Sequence, residues 1–176
     1  MPNLIVYFSR TGQNFCNGTL KNLTKGNTEK IAEFIQRAVG GDTFKVETVK
    51  EYSDDYETCI EETKRELYTN ARPELKQYLD GVDKYDAIFV GYPSWWGSMP
   101  MAMYTFLERY DLTGKKILPF CTNEGSGMGI SELDLANVCK GAKVLPGISI
   151  HGAEAALSER VVTEWAKNSL KAQASD

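Results

Sequence analysis

Residues 86–100 read DAIFVGYPSWWGSMP. Residues 86–92 are almost all apolar, and the run stops at Pro93, two adjacent tryptophans, Gly97 and Pro100. An apolar run of this length lacks the alternation of a half-wetted strand, so it reads as a strand covered on both faces. The prolines remove backbone donors and end it in a turn. Such a strand needs helices above and below it, and the rest of the chain supplies them.

Residues 4–8 are a second continuous apolar run, and they form the first strand. A helix is expected over residues 28–39, where Ile31, Phe34, Ile35 and Ala38 follow the spacing of one helical face. Residues 44–49 read as the second strand. Residues 54–70 are helix-prone, with Tyr56, Ile60 and Leu67 on one side, and Arg72-Pro73 ends them. A further short helix is expected around Leu75, Tyr78 and Leu79. After the third strand, residues 86–92, Met103, Phe106, Leu107 and Tyr110 mark another helix. Residues 117–121 are the fourth strand, 131–139 a helix, 144–150 the fifth strand and 158–171 the closing helix. Strands alternating with helices imply a parallel sheet with helices on both faces and right-handed crossovers. The expectation is an α/β three-layer sandwich with a five-stranded sheet in the order 2-1-3-4-5. Pro146 suits an edge fifth strand. Pro119 lies in an internal strand and must sit where its missing donor is not needed.

The chain has 176 residues, which fits one domain spanning 1–176 with one substantial core. No apolar run approaches the roughly 20 residues of a membrane helix. Met1-Pro2-Asn3 leads directly into a strand without a basic region or cleavage site, so no secretory signal is read. Cys16, Cys59, Cys121 and Cys139 are widely spaced, and the one histidine is His151. No zinc cluster can be assembled from them, and free thiols fit a reducing, cytoplasmic setting. A net charge of -4 disfavours nucleic acid, which demands a basic footprint.

In sheets of this kind ligands bind beyond the carboxyl ends of the strands, near the switch point between strands one and three. The turn after the first strand carries Ser9, Arg10 and Thr11, then a segment of mixed polarity, then Gly26-Asn27-Thr28 at the start of a helix. Without residues 12–25 it reads Ser-Arg-Thr-Gly-Asn-Thr, a hydroxyl-rich turn whose free N–H groups and helix dipole suit an anion. An ordinary capped helix, with Asn27 or Thr28 as the cap, has the same composition. After the third strand come Pro93, Ser94, Trp95, Trp96 and Gly97, where a tryptophan could stack on a flat ring or pack on the next helix. After the fourth come Thr122, Asn123, Glu124, Gly125, Ser126 and Gly127, where glycines allow close backbone approach or simply a pliable surface loop. Taken together, a phosphate turn and two ring-flanking loops at one sheet end match a mononucleotide that carries a planar heterocycle. Neither a dinucleotide fingerprint nor a Gly-Lys-Ser/Thr P-loop is present.

On these residues the sequence resembles the flavodoxin family, in its bacterial branch with a Trp-Trp-Gly ring loop and short-chain form. Ser9, Thr11, Asn27 and Thr28 resemble the phosphate loop, interrupted by residues 12–25. Residues 93–97 resemble the first ring-binding loop, and residues 122–129 the second. The resemblance implies FMN as cofactor, with redox chemistry carried by the flavin. It implies that Ser9, Thr11, Asn27 and Thr28 hold the phosphate, with Arg10 adding charge or facing solvent. Trp95 or Trp96 would stack on the ring, and Gln13 and Asn14 could reach the cofactor or cover it. The Trp96-Gly97 peptide is where the family offers a carbonyl to the flavin. No catalytic side chain and no metal are expected, and His151 is given no role.

The first functional expectation is an electron carrier of low potential that serves redox partner proteins. The alternative is an NAD(P)H-dependent FMN oxidoreductase of quinone-like acceptors. A receiver-like signalling domain would need acidic residues after strand one and an aspartate ending strand three. Those places hold Ser9-Arg10-Thr11 and Tyr92-Pro93. The expected state is a monomer or weak homodimer, with neither membrane nor nucleic acid as partner.

Overall fold

A computed structural model describes residues 2–172. The chain opens with strand β1 (Asn3–Tyr7), then β2 (Gly12–Cys16), β3 (Thr19–Leu23), helix α1 (Asn27–Val39) and β4 (Asp42–Lys45). Helix α2 (Tyr56–Tyr68), β5 (Ala87–Pro93), α3 (Met101–Leu107) and β6 (Lys116–Asn123) follow. The remainder is α4 (Ser131–Val138), β7 (Lys143–Val144), β8 (Ile148–His151), a 3-10 turn over Gly152–Leu157 and α5 (Glu159–Lys171).

The main sheet runs β4-β1-β5-β6-β7, with β8 also paired to β6, and every pairing is parallel. Counted along the expected strands this is the order 2-1-3-4-5. The strands alternate their side chains between two apolar layers. Leu4, Val6, Ile88, Val90 and Ile117 pack with Met103, Phe106 and Leu107 of α3 and Leu135 of α4. Ile5, Tyr7, Phe89, Leu118 and Phe120 pack with Ile31, Phe34 and Ile35 of α1 and Val162 of α5. Gly91 stands opposite Phe120, and a Cβ on it would meet that ring at 2.1 Å.

The fifth strand is not continuous over 144–150; it is split into β7 and β8. The break accommodates Pro119. Along β6 the Lys116 N–H donates to Asp86 on the β5 side, whereas the Ile117 carbonyl accepts from Leu145 on the other. Pro119, two residues on, therefore faces the β7 side with no N–H to give. There the outer chain leaves the ladder at residues 145–147. Gly147 comes so close that a Cβ would meet the Pro119 carbonyl at 2.6 Å.

Two further expectations are corrected. No helix forms around Leu75, Tyr78 and Leu79. Residues 74–76 instead run extended against 47–49, with Thr48 bridged to Leu75. The Tyr110 hydroxyl then pins Leu79, accepting from its N–H at 2.8 Å and donating to its carbonyl at 2.9 Å. The second strand also begins and ends earlier than expected, at Asp42–Lys45. The segment after Thr11 is a β-hairpin, β2 with β3, forming a two-stranded sheet of its own.

Candidate functional site

The carboxyl ends of β1, β5 and β6 surround a cavity of about 260 Å³. Its floor is the start of α1. Gly26, the residue before the helix, makes no side-chain cap. Ser9, at the end of β1, accepts the Glu29 N–H at 3.1 Å and so caps the helix from outside. Gly26 is required for this approach, because a Cβ there would meet Ser9 Oγ at 2.1 Å and the Arg10 carbonyl at 2.6 Å. The N–H groups of Asn27 and Thr28 make no hydrogen bond among the described residues, and both residues line the cavity. Two unpaired donors at the positive end of a helix form an anion cradle. Thr28 is buried, and its hydroxyl lies 2.8 Å from that of Thr122 at the end of β6.

One wall is Pro93, Ser94 and Trp95; another is Thr122, Asn123, Glu124 and Ser126. Asn123 shapes the second wall, accepting the Gly125 and Gly127 N–H groups and donating to Ser149. The loops are fastened together: the Ile130 N–H donates to Gly97 at 2.9 Å, and Ser126 reaches Ser94 at 3.2 Å. Gly129 permits the first contact, since a Cβ would meet the Gly97 carbonyl at 2.0 Å. The close approach that this glycine allows is loop to loop. Beneath the second loop, burial pushes the Cys121 thiol up to about 12.

The tryptophans part company. Trp95 lines the cavity and packs its ring edge-on with Phe8 at 5.0 Å and Tyr52 at 5.2 Å. Trp96 points away, donating from Nε1 to Thr63 of α2 at 3.1 Å. It is half exposed and holds φ at 58°, the left-handed region that a bulky residue rarely adopts. With Gly97 at φ 76° it forms a two-residue turn closed by mutual Trp95–Ser98 bonds. Neither Trp96 nor Gly97 lines the cavity.

Of the other expected residues, Arg10 lines the cavity but is anchored by the Gln13, Ser53 and Asp54 carbonyls. Ser9 and Thr11 face a neighbouring hollow of about 220 Å³, which shares Arg10 and Trp95 with the first. Gly125 and Gly127 sit in the second loop without lining the cavity. Asn14 does line it.

Sequence reasoning missed Phe15, Tyr56 and Gly152, which complete the lining. Phe15, on the hairpin, meets Tyr56 at the start of α2 with ring centroids 5.6 Å apart. Gly152 follows β8, where a Cβ would crowd Asn27 Nδ2 and Glu124 Oε1, both at 2.8 Å. Two aromatics and a glycine on separate elements carry no local motif, so only the fold brings them together.

A family model described as Flavodoxin matches residues 20–169. The chain belongs to this family. The match begins within the hairpin, so Ser9, Arg10 and Thr11 precede it. A Bacteroides uniformis protein assigned as a flavoprotein is 28% identical, with a TM-score of 0.74 over 94% of this chain and 97% of that one. A flavoprotein from Lactobacillus acidophilus, solved in complex with FMN, is 21% identical, with a TM-score of 0.64 over 87% and 95%. Oxidised Flavodoxin 1 from Bacillus cereus is 13% identical, with a TM-score of 0.56 over 97% and 98%. These last two share the fold. No match is found among the curated proteins. Within the described residues no group of side chains could hold a metal ion, and no helix is long and apolar enough to cross a membrane.

Proposed function

We propose that the protein binds FMN non-covalently in this cavity and carries electrons between redox proteins. The observation that carries the reading is the pair of unpaired N–H groups, Asn27 and Thr28, facing the same cavity as Trp95 and the Thr122–Ser126 side of the second loop. The phosphate would take those donors together with the Thr28 hydroxyl. These donors are neutral, so they bind a dianion through dipoles and leave the net charge to the ligand. The flavin ring would lie against Trp95, between the Ser94 and Ser126 loops. Bound there, FMN supplies one- and two-electron chemistry, while the protein orients it and screens it from water. Family membership and the FMN of the Lactobacillus relative support the cofactor.

Membership of the flavodoxin family supports a carrier over a reductase. The four cysteines are free and buried, which fits a reducing compartment such as the cytoplasm.

Anaerobic titration of the flavin-loaded protein with dithionite, then separately with NADH and NADPH, tests the role. A carrier is reduced by dithionite and left oxidised for many minutes by either nucleotide. Rapid bleaching by a nucleotide alone would replace the carrier with the reductase.

A further inference from the structure

Among the described residues the hairpin β2–β3 pairs with no other strand. A two-stranded hairpin is marginal by itself in water, so its anchors decide where it sits. At its base Arg10 Nε donates to the Gln13 carbonyl at 3.0 Å, and Gln13 Oε1 accepts the Tyr56 N–H of α2 at 2.9 Å. At its tip Asn17 and Gly18 take positive φ of 53° and 78°, as a tight Asn-Gly hairpin turn requires. There the Asn17 N–H donates to Glu124 Oε2 at 3.0 Å, across 107 residues of chain. The same oxygen lies 3.0 Å from His151 Nε2. Between base and tip, Asn14 and Phe15 line the cavity. The hairpin is thus a strap pinned on both sides of the candidate site.

We infer that Glu124 is a positioning residue, the clasp that keeps this strap closed over the bound flavin. Its carboxylate is committed to the hairpin tip and to His151. Each partner of the Glu124–His151 pair is about a third exposed, so the pair alone contributes little. Its effect comes from aiming the carboxylate at Asn17. Gly152 makes room for this, since any side chain there would displace Glu124 or Asn27. Closing the strap holds Phe15 and Tyr56 against the ligand and slows its departure. The ligand part of this inference rests on the FMN reading; the clasp itself does not.

Two measurements on Glu124→Ala, with Glu124→Gln and His151→Gln beside it, test the clasp. The first is backbone hydrogen exchange over residues 12–23 in the flavin-free protein. Glu124→Ala should speed exchange there by roughly tenfold, as loss of one hydrogen bond to a charged group implies. Glu124→Gln, which keeps an acceptor for Asn17, should fall between, and His151→Gln should do less. The second is release of FMN and of riboflavin by stopped flow. A clasp predicts that Glu124→Ala speeds both by a similar factor. Unchanged exchange in the hairpin overturns the clasp, whether or not the protein binds flavin. So does tighter FMN binding with riboflavin unaffected, which would make Glu124 a direct neighbour of the phosphate. Failure of every variant and of the parent to bind flavin overturns the FMN reading, while the exchange measurement still decides the clasp.

Discussion

The hydroxyls of Thr28 and Thr122 lie 2.8 Å apart, although 94 residues separate them in the chain. One belongs to the first turn of α1 and the other to the end of β6. Their meeting fixes the anion end of the cavity to the loop that would flank the ring. A ligand spanning both must have its phosphate and its heterocycle at a set separation, which is what a mononucleotide offers.

Replacing Thr28 by Val keeps its bulk and removes the hydroxyl. If that hydroxyl serves the phosphate, the loss is that of a hydrogen bond to a charged group, about 1.5–3 kcal/mol. FMN affinity should fall roughly tenfold or more, and riboflavin affinity much less. Fluorescence titration of both ligands checks this. Equal losses would mean that the hydroxyl acts on the fold alone.

Gly26→Ala tests the close approach between β1 and α1. The added Cβ would strike Ser9 Oγ and the Arg10 carbonyl, and backbone cannot swing aside as a side-chain tip can. Stability should drop by about 1–3 kcal/mol, the usual cost of overpacking, read from urea unfolding. FMN affinity should fall too, because the helix start must shift. An unaltered unfolding midpoint would contradict the packing described.

The two tryptophans should behave differently. Trp95 lines the cavity, so Trp95→Phe, which keeps an aromatic against Phe8 and Tyr52, should weaken flavin binding and relieve quenching of its fluorescence. Trp96 lies on α2 with strained backbone. Trp96→Asn suits the left-handed region better and should leave binding within about threefold, with the relieved backbone strain, about 1–2 kcal/mol, offsetting the lost Thr63 contact. Strong loss on changing Trp96 alone would move the ring to the outer face of the turn.

Alkaline pH offers an independent check on the core. Burial raises the thiols of Cys121 and Cys139 and, aided by Glu29, the phenol of Tyr7, each to about 12. In the unfolded chain these groups ionise from about 9 or 10 upward. The unfolded state therefore sheds protons first, and stability falls as pH rises from about 9 toward 12. Below 9 these groups have no effect. Native Cys121 and Cys139 should also resist alkylation at pH 8, where labelling followed by mass spectrometry reads them directly.

Much of the architecture was legible because β1, β5 and β6 are continuous apolar runs and α1 has a clean helical stripe. The site was legible as three loops at one sheet end, since strand order alone brings them together. What failed shares a cause: residues whose partners lie far off in sequence. Leu75, Tyr78 and Leu79 have helical spacing, yet Leu75 is bridged to Thr48 and Leu79 is held by Tyr110. The consequence of Pro119 lies 26–28 residues further along the chain, at 145–147. The hairpin carried a local signal, Asn17-Gly18 between short strand-like runs, which its mixed polarity masked. The division of labour between Trp95 and Trp96 depends on φ at one residue, which no composition encodes.

The cavity over the start of α1 is the proposed flavin mononucleotide site. Isothermal titration of the flavin-free protein with FMN, riboflavin and FAD tests it most directly. One FMN should bind per chain, at least tenfold more tightly than riboflavin through the Asn27 and Thr28 donors, with FAD weaker than FMN. No flavin binding, or riboflavin bound as tightly as FMN, would contradict it.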